Sequence, residues 1–406
     1  MRYALTEVEF TDPDAKVRIS DEESGVGILV RYDDAPVGFI LLDRGPGCLE
    51  GQELRDLLTD RAGDEITAEL LERELRAEGI LPGLPPLTVA VCTRDHPDYV
   101  SRVIRSLTAA AASALCLTEL EILIVDNAPS DESTRIAVEA FRDARYVREP
   151  KPGLDFGRNR ALREARGEIL AFIDDDATVD RWWFRGLARA YADNPDAAAF
   201  TGPVLPWELT TSAQILFEQR GGFGRKFMRR RFGPDSASIR NYPCNAGVFG
   251  AGCNMAFRRE SLIQLGGFDE ALDTGAPLPG GGDLDIFYRV LRAGLRLIYE
   301  PRQLIYHQHR REYRALRRQM YTWGLGIMTY AVRNYRYDPA HRLRFRCMML
   351  GWFRTLSAMT FRSFRRGNVW KPDLALAELW GGIVGLCGGY GRSVRRVDRI
   401  RKQYAP

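Results

Sequence analysis

The chain has only four histidines, and its seven cysteines, Cys48, Cys92, Cys116, Cys244, Cys253, Cys347 and Cys387, are odd in number and scattered. Without close pairing they exclude a Cys-rich zinc site and a disulfide scaffold, and they point to a reducing compartment. No apolar run reaches the ~18 residues of a spanning helix; the nearest, Leu379 to Cys387, is short and glycine-rich. Met1 to Phe10 carries acidic residues and no apolar core, so it does not read as a secretory signal. No recognised nucleic-acid module accompanies the positive charge, so nucleic acid is not an expected partner. What is present is an asymmetry. From residue 301 onward 22 Lys and Arg face 5 Asp and Glu, although the whole chain carries only +4. A basic C-terminal third on an acidic body suits an anionic membrane surface. The expectation is a cytoplasmic protein, peripheral on the inner face of the cell membrane.

Residues 1–86 read as a small accessory unit. Two apolar runs, Gly27 to Arg31 and Val37 to Leu42, flank Asp33-Asp34 and predict a hairpin, and leucines at helical spacing predict a helix from Glu65 to Glu78. The stretch Leu81 to Pro86, rich in Pro and Gly, marks a boundary. The rhythm then becomes strand, helix, strand, helix: Leu87 to Cys92, Tyr99 to Ala112, Glu119 to Val125, Glu132 to Arg142, Gly157 to Arg166 and Ile169 to Ile173. Strands apolar on both faces, such as Ile122 to Val125, predict a parallel sheet covered by helices, an α/β fold. Ligands in such sheets gather at the carboxyl ends of strands. There the sequence sets Thr93-Arg94-Asp95, Asp126-Asn127 and Asp174-Asp175-Asp176.

Carboxylates at a strand end suit a divalent cation that neutralises a diphosphate. Alternation along an extended chain points Asp174 and Asp176 to one side. Asp176 is assigned to the metal, Mn2+ or Mg2+, and Asp174 to ribose or metal-bound water. Asp126 is placed to accept from a base or ribose. His307 and His309, two apart after an expected strand, are the candidate imidazole ligands, with His307 favoured. Trp182-Trp183-Phe184 reads as core at a helix start. The stretch Gln219 to Arg231 reads either as a loop closing over phosphates or an anionic acceptor, or as a solvated charged loop.

Together, Val89 to Asp95, Ile124 to Asn127, Gly157 to Ala161 and Phe172 to Asp176 resemble glycosyltransferase family 2, over about residues 87–325. The resemblance implies a GT-A, Rossmann-like nucleotide-sugar-binding domain with inverting transfer from a nucleoside-diphosphate sugar. It places Thr93, Arg94, Asp95, Asp126, Arg158, Asn159, Asp174 and Asp175 on the donor side. The segments Gly250 to Phe257, Gly266 to Glu270 and Gly280 to Asp285 follow the family's order on the acceptor side and mark Gly252, Asn254 and Asp285. An inverting enzyme needs a general base, here Asp283, with Asp285 in reserve. The family's Glu-Asp pair is replaced by Gly282-Asp283. Residues 326–406 are expected to form basic amphipathic helices, from Met348 to Phe353 and Phe361 to Arg366 among others. The acceptor class reads as an envelope, polysaccharide, lipid or secondary-metabolite hydroxyl. Two other readings remain: a sugar nucleotidyltransferase, disfavoured because Thr93 to Pro97 lacks glycine, and a nucleotide-sugar-binding protein without transferase activity.

Overall fold

A computed structural model describes residues 1–75, 83–236, 239–275, 278, 280–364 and 371–405. The expected end of the first helix at Glu78, the Leu81-Pro82 part of the boundary and Arg365-Arg366 lie outside the described residues.

The accessory unit comprises β1 (Tyr3–Glu9), β2 (Lys16–Ile19), β3 (Gly25–Tyr32), β4 (Ala35–Leu42), β5 (Gly47–Glu50) and α1 (Gly51–Leu75). The expected hairpin is β3–β4, turning at Asp33, whose φ of +51° is a left-handed conformation that Asp tolerates. Val26, Ile28 and Val30 face Leu54, Leu58, Ala62 and Ile66 of α1. That four-residue spacing starts α1 well before Glu65. The unit docks through buried charge. Arg31 pairs with Glu7 at 2.9 Å and with Asp180, and Arg302 pairs with Glu69 and, at 3.3 Å, with Asp34. Removing one partner of such a pair strands the other, so these contacts fix where the unit sits.

The α/β body continues with β6 (Leu87–Thr93), α2 (Pro97–Ala112), β7 (Leu120–Asn127), α3 (Ser133–Glu139), β8 (Ala144–Glu149), α4 (Leu154–Glu164), β9 (Ile169–Ile173) and β10 (Ala177–Val179). Then come α5 (Trp183–Asp193), β11 (Ala197–Thr201), β12 (Val204–Pro206), α6 (Ser212–Gln219), β13 (Arg230–Phe232), β14 (Asn254–Arg258), α7 (Arg259–Gln264), α8 (Gly282–Arg292), β15 (Arg296–Tyr299) and β16 (Ile305–His307). Eight strands form one sheet in the order β13-β15-β11-β14-β9-β6-β7-β8. Only β14 and β13 run against the rest. This is the GT-A arrangement expected. Alternation buries both faces: Val89, Val91, Ile122 and Ile124 pack on Val100, Val103 and Leu107 of α2, while Ala90, Leu123 and Phe172 face Ala161 of α4 and Ile286 and Phe287 of α8. Trp183 and Phe184 are core, as read. The edge strand β8 was not expected, because its outward side chains are polar.

Beyond the sheet lie α9 (Tyr313–Tyr337), α10 (Arg342–Ser363), α11 (Pro372–Val384) and α12 (Tyr390–Gln403). The position taken as a domain boundary, 325/326, falls inside α9. Glycines let α9 and α11 cross closely: a Cβ at Gly324 would stand 1.9 Å from the Glu378 carbonyl oxygen, and one at Gly381 1.9 Å from that of Tyr321. By length and composition Pro372–Gln403 is a candidate membrane span. The helix is nevertheless broken at Cys387-Gly388, where Gly388 takes φ +82°, and α11 alone, with 13 residues, is shorter than the ~20 a bilayer requires.

Candidate functional site

A second, small sheet, β10-β16-β12, builds the first half of the site. Its register sets Ala177 opposite His307, and the Gln308 amide donates to the Asp176 carbonyl at 2.8 Å. Asp176, just before β10, is thereby brought to His307, whose Nε2 lies 3.2 Å from Asp176 Oδ1. Asp174 joins them, and the ligand atoms of Asp174, Asp176 and His307 all lie within 4.8 Å of one another. Burial lifts the Asp174 carboxyl to about 6. Burial acts in the same direction on Asp176, but His307 and Arg310 overcome it and hold Asp176 at about 2. His309 is not in this group. Its Nδ1 faces His307 Nδ1 at 3.3 Å and its Nε2 meets Glu218 at 2.8 Å.

The ends of β6 and β7 line the adjoining space. Asp126 is fully buried; its Oδ2 accepts from Tyr146 Oη at 3.0 Å, whereas Oδ1 has no partner among the described residues. Burial pushes this carboxyl up to about 6. Asp175 accepts from Thr93 Oγ1 at 2.6 Å and lies 2.9 Å from His96 Nδ1. Asp95, at φ +58°, accepts from the Ser130 amide at 2.8 Å and so ties the β6 loop to the β7 loop. Arg94 lies exposed beside it.

The second half of the site stands at the start of α8. Asp283 Oδ2 accepts from the Gly252 amide at 3.1 Å, and Oδ1 from the Leu284 amide at 2.9 Å. A Cβ at Gly252 would come within 2.9 Å of Asp283 Cβ and 3.1 Å of Arg158 Nη2, so glycine permits this approach. Arg158 is buried, donating to Asp155 Oδ1 at 3.0 Å and Asp273 Oδ2 at 3.2 Å. It connects the halves, since both Asp174 and Asp283 act on its charge. Asp155 and Asp273 were not read as site residues; their 118-residue separation is closed only by tertiary structure.

Three expected site residues are already fully committed. Asn159 clamps the 266–270 turn, accepting from the Phe268 amide at 2.9 Å and donating to its carbonyl at 3.0 Å. Asn254 accepts from Trp183 Nε1 at 3.1 Å and donates to the Pro203 and Gln303 carbonyls. Asp285 is buried among Arg289, Arg333 and Asn334. The 219–231 loop is also engaged: Phe223 packs at 5.1 Å on His307, Arg225 pairs with Glu218, and Arg229 pairs with Glu300. Arg225 and Arg229 therefore serve internal ion pairs, whereas Lys226 and Arg230 are exposed.

This arrangement, a parallel-rich sheet with carboxylates at neighbouring strand ends and an imidazole brought in by a second sheet, stands where α/β sheets bind their ligands. Residues 88–266 match the family described as Glycosyl transferase family 2. The match takes in most of the α/β body, from β6 to just past α7. Over 187 residues it is 27% identical to the glucosyl-dolichyl phosphate glucuronosyltransferase of Haloferax volcanii, covering 45% of this chain and 56% of that protein. Over 293 residues it is 25% identical to the pre-mycofactocin glycosyltransferase of Mycobacterium tuberculosis, covering 69% and 57%. The chain thus spans little more than half the length of these relatives. Among solved structures, a mannosyltransferase of Pyrobaculum calidifontis in complex with GDP-Man and Mn2+ aligns over 82% of each chain, with a TM-score of 0.42 and 19% identity.

Proposed function

We propose that this chain is an inverting, metal-dependent glycosyltransferase that takes its sugar from a nucleoside-diphosphate donor. The observation that carries the reading is the convergence of Asp174, Asp176 and His307 within 4.8 Å at the strand ends. Two carboxylates and an imidazole are a donor set that fits Mn2+ or Mg2+. A cation held by them would supply charge neutralisation for the leaving diphosphate. The remaining work falls to the chain's own groups. The unpartnered Asp126 Oδ1, buried beside the end of β6, is an acceptor for a base or ribose donor. Thr93 and His96 hold Asp175 in place at the donor side. Asp283, on the far side of Arg158, takes the proton from the acceptor hydroxyl as that oxygen attacks the anomeric carbon from the face opposite the diphosphate.

The acceptor is read as an envelope, polysaccharide, lipid or secondary-metabolite hydroxyl, approached from a membrane surface. Leu376, Trp380 and Ile383 are exposed along one face of α11, and Leu350 and Phe361 along α10 with Phe364 just past its end, in the arginine-rich third of the chain. A panel of nucleoside-diphosphate sugars assayed with Mn2+ and Mg2+ tests the reading: nucleoside diphosphate is released, the product has the opposite anomeric configuration to the donor, and chelation stops the reaction. Retention of configuration, or turnover undiminished by chelator, contradicts it.

A further inference from the structure

Where the family's pair has a glutamate before its aspartate, this chain has Gly282, and a side chain could stand there only if Asp155 moved. A Cβ built on Gly282 would lie 2.1 Å from Asp155 Oδ2. Asp155, in the first turn of α4, is fully buried, and that same Oδ2 has no hydrogen-bond partner among the described residues. Its position depends on Gly153, which at φ +137° brings α4 against the 273–274 backbone; a Cβ there would be 2.9 Å from Thr274 Cα. Asp155 Oδ1 shares Arg158 Nη1 with Asp273 Oδ2, and Asp273 Oδ1 accepts from the Gly280 amide at 2.6 Å. The turn from Gly280 to Asp283 is therefore held at residue 280 by Asp273 and at residue 283 by the Gly252 amide, and at residue 282 Asp155 stands in the space a side chain would take. Burial and the neighbouring Asp273 push the Asp155 carboxyl well above its ordinary range, in keeping with a group kept from water for a structural reason.

We infer that Asp155 is the positioning carboxylate of the acceptor half-site: it occupies the space of the missing side chain at 282 and, with Arg158 and Asp273, fixes the turn that carries Asp283. The carboxyl is thus supplied from α4 instead of from α8. The inference rests on the reading of Asp283 as the base, but its spatial half does not need turnover to be tested. A thermal-unfolding cycle over Asp155→Gly, Gly282→Glu and the double variant reads whether the two positions compete for one place. Gly282→Glu is expected to lower Tm strongly beside Asp155 and little once residue 155 is Gly. Equal losses in both backgrounds would overturn the inference. Kinetics read the role. Asp155→Ala should lower kcat about tenfold or more with donor KM changed by less than about twofold, and Asp155→Gly/Gly282→Glu should regain kcat over Asp155→Gly. If Asp155→Ala does not fold, Asp155→Asn, which keeps the volume, should still lower kcat about threefold at unchanged donor KM. A kcat at the wild-type level in the 155 variants, or a double variant no better than Asp155→Gly, would refute the role. A wild-type chain that transfers no sugar fails the function reading instead, and the Tm cycle distinguishes that case.

Discussion

The two halves of the site are both built from buried carboxylates, yet they balance their charge in different ways. On the proposed donor side Asp176 meets His307 and, at 3.5 Å, Arg310, while Arg158 acts on Asp174 through its charge without a hydrogen bond among the described residues. On the acceptor side Asp155 and Asp273 close on Arg158 from within the protein, leaving Asp283 with two backbone donors. A cluster whose carboxylates bond no buried guanidinium is suited to an external cation, and one closed on its own buried guanidinium is suited to hold geometry. The same residue type thus serves two purposes, and its partners separate them.

The largest effect expected from breaking this contrast is at Asp283. Asp283→Asn should cut transfer by about 10²–10⁴, the usual worth of a general base, while nucleotide binding stays intact. Arg158→Met should act on the fold itself, stranding Asp155 and Asp273 at a cost of about 3–5 kcal/mol read by chemical denaturation. Exchanging the histidines sharpens the donor side. His307→Gln should weaken Mn2+-dependent nucleotide binding about tenfold or more, and His309→Gln by less, because His309 is engaged with Glu218. The smallest effect concerns Asp126. Its carboxyl is raised to about 6 by burial, so the native state holds a proton that the unfolded chain, titrating near 4, has released. The stability this contributes is complete below pH ~4 and lost as pH rises through ~6. Asp126→Asn should match wild type in Tm at pH 4 and exceed it at pH 8.

Much of the fold was legible because the physical signals are local. Runs such as Ile122 to Val125 announce a strand covered on both faces, and their polar ends mark the side where a ligand binds. The donor carboxylates are three consecutive residues, so one strand end reveals them together. What could not be read is what each polar side chain already holds. Asn159, Asn254 and Asp285 look available in the sequence, but Phe268, Trp183 and Arg333, up to 109 residues away, engage them. Asp155 was hidden for the opposite reason. It sits at a helix start where an acidic residue is unremarkable, and only the bare Gly282 hinted that something else fills that place. Helix starts drifted as well. α1 begins at Gly51 rather than at Glu65, because Leu54 and Leu58 carry the buried four-residue spacing further upstream.

The central claim is that the donor half needs a cation and the acceptor half does not. Calorimetric titration of a nucleoside-diphosphate sugar into wild type, Asp176→Asn and Asp283→Asn, each with Mn2+ and with chelator, tests it most directly. The account predicts metal-dependent binding in wild type and Asp283→Asn, and its loss in Asp176→Asn. Binding in wild type that is equally tight with chelator, or unchanged in Asp176→Asn, would contradict it.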